Sequence, residues 1–227
     1  MSCFLLAFFL TTILPTDAAG SPELVLRTSD YTTTTTVNEN FVVQIYAQQG
    51  GIRINGFNNA ILLRATGHAL PGGSQTVTFK NGLAVLVVST TWAETDFLTL
   101  EVLPEFPLPG FDTSAQLQLT WIAGPTTKIV MSAVDAASLT VDDSTVFTCF
   151  AFDEFANPVT WEWRAVTISI NGVAQLSFPQ CQFTQGVGQN VTLTNTKTET
   201  VTLQASFPDD VTVTIERPLQ TVVFGAG

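Results

Sequence analysis

The sequence predicts an all-β protein made of two tandem immunoglobulin-like β-sandwich domains of about seven strands each. Three observations carry that expectation. Thr, Val and Phe are abundant while charged residues are only 12% of the 227, a composition suited to pleated, half-buried strands. Short apolar runs recur along the chain with Gly, Pro, Asn or Asp between them. The chain also repeats itself: at a shift of 104 residues, "GSPELVLRTSDYTTTTTVNENFVVQIYA" (20–47) lies without a gap on "GPTTKIVMSAVDAASLTVDDSTVFTCFA" (124–151).

The shift places Gly20 on Gly124, Val37 on Val141, Phe79 on Phe183 and Gly82 on Gly186. Self-similarity at a fixed period is the signature of tandem modules, here spanning 20–123 and 124–227. In the first unit the predicted strands are ELVLRTS, NFVVQIYA, NAILLRAT, QTVTF, LAVLVVST, DFLTLEVL and AQLQLTWI. In the second they are KIVMSAV, TVFTCFAF, RAVTISI, AQLSF, NVTLT, TVTLQAS and, last, either VTVTIE or LQTVVF. Asn-Gly pairs at 55–56, 81–82 and 171–172 predict tight turns, because both residues tolerate positive φ. No helix is predicted.

Residues 1–19 form an apolar leader that opens "MSCFLLAFFLTTIL". It reads either as a secretory signal, with small residues for cleavage near Ala19 or Gly20, or as a retained strand. In the second case Phe4, Leu6, Phe8 and Leu10 alternate along one face and could be donated to another subunit. The net charge of −11 argues against nucleic acid and anionic lipid as partners. No C-terminal membrane span follows the second unit, and the setting expected is secreted or cell-surface.

The segment "GPTTKIVMSAVDAASLTVDDSTVFTCFAFDEFANPVTW" resembles the opening of immunoglobulin-like repeats of the invasin and filamin type, in which a strand ending in Asp is followed by an Asn-Pro-Val-like turn. Asp153, Asn157, Pro158 and Val159 match that pattern, and "TQGVGQNVTLTNTKTETVTLQAS" resembles the later strands. The likeness covers most of 124–207 and is weaker in the first unit, where "AQQGGIRING" lacks both the Asp and the Pro. It implies a sandwich fold in an extracellular, modular protein and no catalysis.

Candidate site residues follow from residue type and place. Under the shift Cys149 and Cys181 fall on Ile45 and Val77, so both thiols are expected in the core. There they form a disulfide in an oxidising compartment, or else serve as two small buried hydrophobes. Asp142, Asp143, Asp153, Glu154, Asp209 and Asp210 could supply oxygens to Ca²⁺, but lack the spacing of a calcium loop, and turn chemistry explains them as well. "NVT" at Asn190 is an N-glycosylation sequon. Thr32, Thr33, Thr34, Thr35 and Thr36 are candidate O-glycan acceptors or simply an exposed strand. Trp161 and Trp163, two apart, would share one face of a strand, either as core or as an interface or sugar-stacking platform. His68, the one histidine, has no nucleophile motif beside it, and no enzyme is expected.

These observations favour an extracellular structural subunit that self-associates head-to-tail into a surface filament by strand donation. The alternative is a cell-surface adhesin or carbohydrate-binding tandem module, which requires exposed Trp161 and Trp163 or a metal-holding acid loop. An enzyme would instead place His68 or paired carboxylates at the base of a pocket.

Overall fold

The computed structural model describes residues 20–134, 138–207 and 210–227. The leader, with Phe4, Leu6, Phe8 and Leu10, lies outside them, as does Asp209. The first unit runs β1 (Glu23–Thr28), β2 (Thr34–Thr36), β3 (Phe41–Gln49), β4 (Ile52–Arg53), β5 (Ala60–Ala65), β6 (Ser74–Thr78), β7 (Leu83–Val88), β8 (Thr95–Glu101) and β9 (Gln116–Ile122). The second runs β10 (Lys128–Met131), β11 (Ser138–Thr140), β12 (Ser144–Phe147), β13 (Cys149–Phe152), β14 (Ala165–Ile170), β15 (Gln175–Leu176) and β16 (Gln180–Thr184). It continues with β17 (Val187–Gly188), β18 (Val191–Thr194), β19 (Glu199–Ser206), β20 (Thr214–Glu216) and β21 (Leu219–Gly225).

These strands make two tandem immunoglobulin-like sandwiches. In the first, β3 pairs with β1 and β7, facing the sheet β2-β9-β8-β5-β6. In the second, β11-β21-β19-β14-β16 repeats that five-stranded order. The shift carries β2 onto β11 and sets the register of β8 on β9 and of β19 on β21 identically: Thr95 faces Thr120, and Glu199 faces Phe224. Alternation explains each half-buried strand. Along β3, Phe41, Val43, Ile45 and Ala47 point inward; along β19, Val201, Leu203 and Ala205 do. Two hydrophobic clusters result, one led by Leu24, Ile61, Leu98 and Trp121, the other by Ile129, Phe147, Leu203 and Phe224.

The copies differ where the second is elaborated. Its β3 equivalent breaks at Thr148 into β12 and β13. Strand β16 pairs with β14 through Gln180–Gln182 and then crosses to β17 through Phe183 and Thr184. Two expectations need correction. The segment AQLSF contributes only β15, and the place of β6 is taken by β16, because Cys181 and Phe183 supply the inward alternation there. Trp161 and Trp163 lie on a turn and the irregular stretch after it, not on a strand. Of the two candidates for the final strand, LQTVVF is the full one, and VTVTIE adds only a short parallel strand beside β10.

The turn at Asn81–Gly82 has φ of 52° and 77°, and Lys80 and Leu83 exchange both backbone hydrogen bonds across it. Gln185–Gly186 repeats it at 54° and 77° without an asparagine. In both copies a Cβ on the glycine would collide with a backbone carbonyl, that of Ile54 or of Val159. Gly56 and Gly172 take positive φ in the other two Asn-Gly pairs, whose asparagines do not. Gly51 also has positive φ, but a Cβ there meets nothing within 4 Å. Gly51→Ala therefore carries only the left-handed backbone cost of about 1 kcal/mol. Gly82→Ala adds the collision and loses about 3 kcal/mol or more. Urea unfolding of the two variants measures the difference; equal losses contradict this account of Gly82.

Candidate functional site

The sandwiches meet through the turn that follows β13. Asp153 is 2% and Asn157 6% exposed. The Asp153 carboxylate accepts from the Gly124 amide at 3.0 Å, from the Phe155 and Asn157 amides at 2.9 Å each, and from Asn157 Nδ2. Asn157 reaches into the first unit: its Nδ2 donates to the Thr91 carbonyl at 2.7 Å, and its Oδ1 accepts from the Ala93 amide at 2.9 Å. Phe155 packs on the first unit's core. Of the residues singled out in the sequence, Asp153 and Asn157 thus build the junction, and Pro158 is exposed beside it.

A groove of about 450 Å³ runs along the junction. Ala93, Glu94 and the end of β9 (Thr120–Ile122) form one wall, and Pro158 and Thr160 the other. Trp92 and Trp161 adjoin these walls, next to Ala93 and Thr160. Trp92, Trp161 and Trp163 are 56%, 47% and 71% exposed, whereas Trp121 is core. Trp161 Nε1 donates to the Ala123 carbonyl at 3.2 Å, fixing its indole against the inter-unit segment. Trp92 stacks on His68 with ring centroids 4.7 Å apart and planes 14° from parallel. The structure therefore excludes core packing for Trp161 and Trp163. Trp92 is exposed as well, and its only signal in the sequence is an aromatic in a polar loop.

Glu162 is 2% exposed and lies between the exposed Trp161 and Trp163. Its Oε2 accepts from Thr126 Oγ1 at 2.6 Å and from Arg164 at 2.7 Å; its Oε1 accepts from Arg164 Nε at 2.9 Å. Burial alone would raise the Glu162 carboxyl, but the Arg164 guanidinium and the Thr126 hydroxyl outweigh it and hold it at about 2. Arg164 also reaches Asp210 at 3.4 Å and lies over the Phe207 ring at 4.6 Å.

The other candidates sit apart from one another. His68 bonds Glu94 through Nδ1 at 3.0 Å and its side chain is 57% exposed, on a loop that the buried Asp96 carboxylate holds through Thr66, Gly67 and Ala69. With Trp92, Asn38, Ser89, Thr90 and Thr91, His68 lines an open surface depression. Among the described residues no three His, Cys, Asp or Glu side chains converge to hold a metal. Asp142 adopts positive φ at 70° as Asn38 does at 66°; Asp143 accepts from Thr140; Glu154 is exposed. Asp142 and Asp143 thus serve the turn between β11 and β12. Asn190 is exposed just before β18. Thr32, Thr33 and Thr34 are exposed, whereas Thr35 and Thr36 are half-buried in β2, parallel to β9. Cys149 and Cys181 are buried, as their apolar counterparts imply, and stand as two free thiols. No helix among the described residues is long and apolar enough to cross a membrane.

No family model matches the chain, and no curated protein does. Among solved structures it is similar to the Escherichia coli adhesin FdeC, at 21% identity and TM-score 0.43 over 93% of this chain and 66% of that one. It is similar to invasin, a bacterial integrin-binding protein, at 17% identity and TM-score 0.39 over 90% of this chain and 39% of that one. The Yersinia pseudotuberculosis adhesin InvE gives 15% and 0.40 over 91% and 61%, and a Bacteroides vulgatus β-glycosidase 12% and 0.39 over 91% and 25%. The chain spans less than two thirds of each. Likenesses this distant transfer no partner or activity to it.

The Glu162 site has a pH signature. Its folded carboxyl, at about 2, lies below the ordinary value of about 4.3, so the stability it contributes is complete above about pH 4.3 and is lost as pH falls through 2. That contribution is about 2–3 kcal/mol. Glu162→Gln is expected to lower stability at pH 7 by a similar amount and to flatten its pH dependence between about 4.3 and 2. Urea midpoints across that range test this; an unchanged slope sinks it.

Proposed function

We propose that this chain is a non-catalytic extracellular module of the adhesin kind, which binds a neutral glycan across the tryptophan-flanked groove between its sandwiches. The observation that carries the reading is the exposure of three of the four tryptophans, two of which, Trp92 and Trp161, adjoin the groove residues Ala93 and Thr160. An indole offers a large flat apolar face with a polar edge, the surface that sugar rings stack on, and leaving several such faces in water is unfavourable unless something covers them. The Asp153–Asn157 contacts hold the two walls together, so the groove is preformed and little ordering is needed on binding. The net charge of −11 favours neutral over acidic sugars. Asn190 and Thr32–Thr34 are exposed positions for glycans on the module itself in a glycosylating host.

A glycan array followed by calorimetry tests the reading. Trp163→Ala and Trp161→Ala are each expected to weaken a neutral ligand about 30-fold, near 2 kcal/mol, without shifting the urea midpoint in the case of Trp163. No neutral glycan bound, or binding indifferent to both variants, refutes it.

Self-association into a filament is the second reading, and β7 favours it. Among the described strands β7 pairs only with β3, and Val85 and Val87 are 53% and 57% exposed. An apolar open edge is a template for a strand from another chain. Two features weigh against head-to-tail growth. Each sandwich already fills its strand positions from its own sequence. The junction also cannot be rebuilt at the far end of the first unit, where Asp153 and Asn157 fall on Gln49 and Arg53. Electron microscopy separates the readings: filaments that disappear with Val87→Lys support edge pairing, and dispersed particles at high concentration remove it.

A further inference from the structure

One point of the core has been rebuilt between the two copies. In the first unit it is filled by Ile45, Val77 and Ala84, which are 0%, 6% and 3% exposed. Ile45 and Ala84 face each other across β3 and β7. At the three positions shifted by 104 residues the second unit has Cys149, Cys181 and Gly188. Of the neighbours on the same inward faces, Ala47 becomes Ala151 and Phe79 becomes Phe183, whereas Val43 becomes Phe147.

The glycine ties the three together. A Cβ on Gly188 would fall on the Cys181 sulfur and would lie 3.1 Å from the Cys149 backbone nitrogen and oxygen. A strand interior gives up packing and backbone restraint at a glycine, and a common reason is that something else must occupy the space. Here that something is sulfur. Both cysteines are fully buried, and the Cys181 thiol donates to the Gln189 carbonyl at 3.3 Å. Cys149 lies on β13, which pairs with β10, whereas Cys181 lies on β16 and pairs with Val166 of β14; β17 stands between the two strands. The burial and the neighbouring sulfur push the Cys149 thiol well up, so it is a poor nucleophile once the core has closed.

We propose that Cys149 and Cys181 are the site of a disulfide between β13 and β16, made during folding, that pins the second sandwich. The co-reactant is a disulfide of low molecular weight. A cysteine thiolate attacks it, releasing one thiol; the second cysteine attacks the mixed disulfide, releasing the other. The protein loses two hydrogens and the reagent is reduced to two thiols. Closure inside the core then shields the bond, so reductants reach it only when the sandwich opens. The first sandwich, with aliphatic residues at the same point, has no such bond.

The full chain is folded with excess glutathione disulfide, alkylated in guanidinium and cut with trypsin. Cleavage after Lys128, Arg164 and Lys197 puts Cys149 and Cys181 on separate peptides, 129–164 and 165–197, apart from Cys3. A linked pair of these peptides that separates on reduction is expected. So is a linkage that survives reductant added to the native protein but not to the denatured one, with a lower urea midpoint for reduced than for oxidised wild type and no such difference for Cys149→Ala. Full alkylation of both cysteines after oxidative folding, or linkage through Cys3 instead, overturns the site. Equal midpoints of oxidised and reduced wild type overturn the pinning.

Discussion

The buried Asp153 carboxylate is the constraint on which the rest of the molecule's organisation depends. A carboxylate taken out of water is costly unless donors replace the lost hydration. Asp153 is supplied by the Gly124, Phe155 and Asn157 amides and by the Asn157 side chain. One of those donors belongs to the segment between the sandwiches, and the Asn157 side chain that completes the set also bonds Thr91 and Ala93 of the first unit. Satisfying one charge therefore fixes the connecting segment, the turn and the neighbouring loop together. The groove and its tryptophans inherit their placement from that arrangement.

The same logic recurs on a smaller scale at Glu162. Its charge is neutralised inside by Arg164 and Thr126, while the tryptophans on either side are exposed. A buried ion pair of this kind adds little net stability by comparison with apolar packing. What it supplies is direction: it decides which side of the segment is inside. The two anchors, Asp153 and Glu162, stand either side of Pro158, and between them they set how Trp161 and Trp163 are presented.

The two copies show what a sandwich needs and what it leaves free. Both retain the glycine of the tight turn before β7 or β17, the alternation of β3 and β19, and the register of the last two long strands. They diverge at the turn after the third strand, where the first copy has a short hairpin to β4 and the second has the junction. They diverge also at the core point held by Ile45, Val77 and Ala84 in one and Cys149, Cys181 and Gly188 in the other. Both changes are local sets of residues replaced together, as expected when partners must match in shape and hydrogen bonding.

The sequence by itself determined the two sandwiches, most of their strands, the type of the Asn81–Gly82 turn and the burial of both core cysteines. These follow from period-two alternation and from the φ angles that residues tolerate, which are properties of a few neighbouring residues. The repeat made the argument stronger, because each strand was in effect read twice. Where alternation was weak, as in AQLSF, the reading placed a strand too early. Only the tertiary structure decided which aromatics face water. Trp161 and Trp163 look the same as core residues in the sequence, and their exposure depends on Glu162 meeting Thr126, 36 residues away, and on the turn at Asn157 meeting Ala93, 64 residues away. No local pattern encodes contacts at that separation; they arise when two folded units come together and their unsatisfied polar groups find each other.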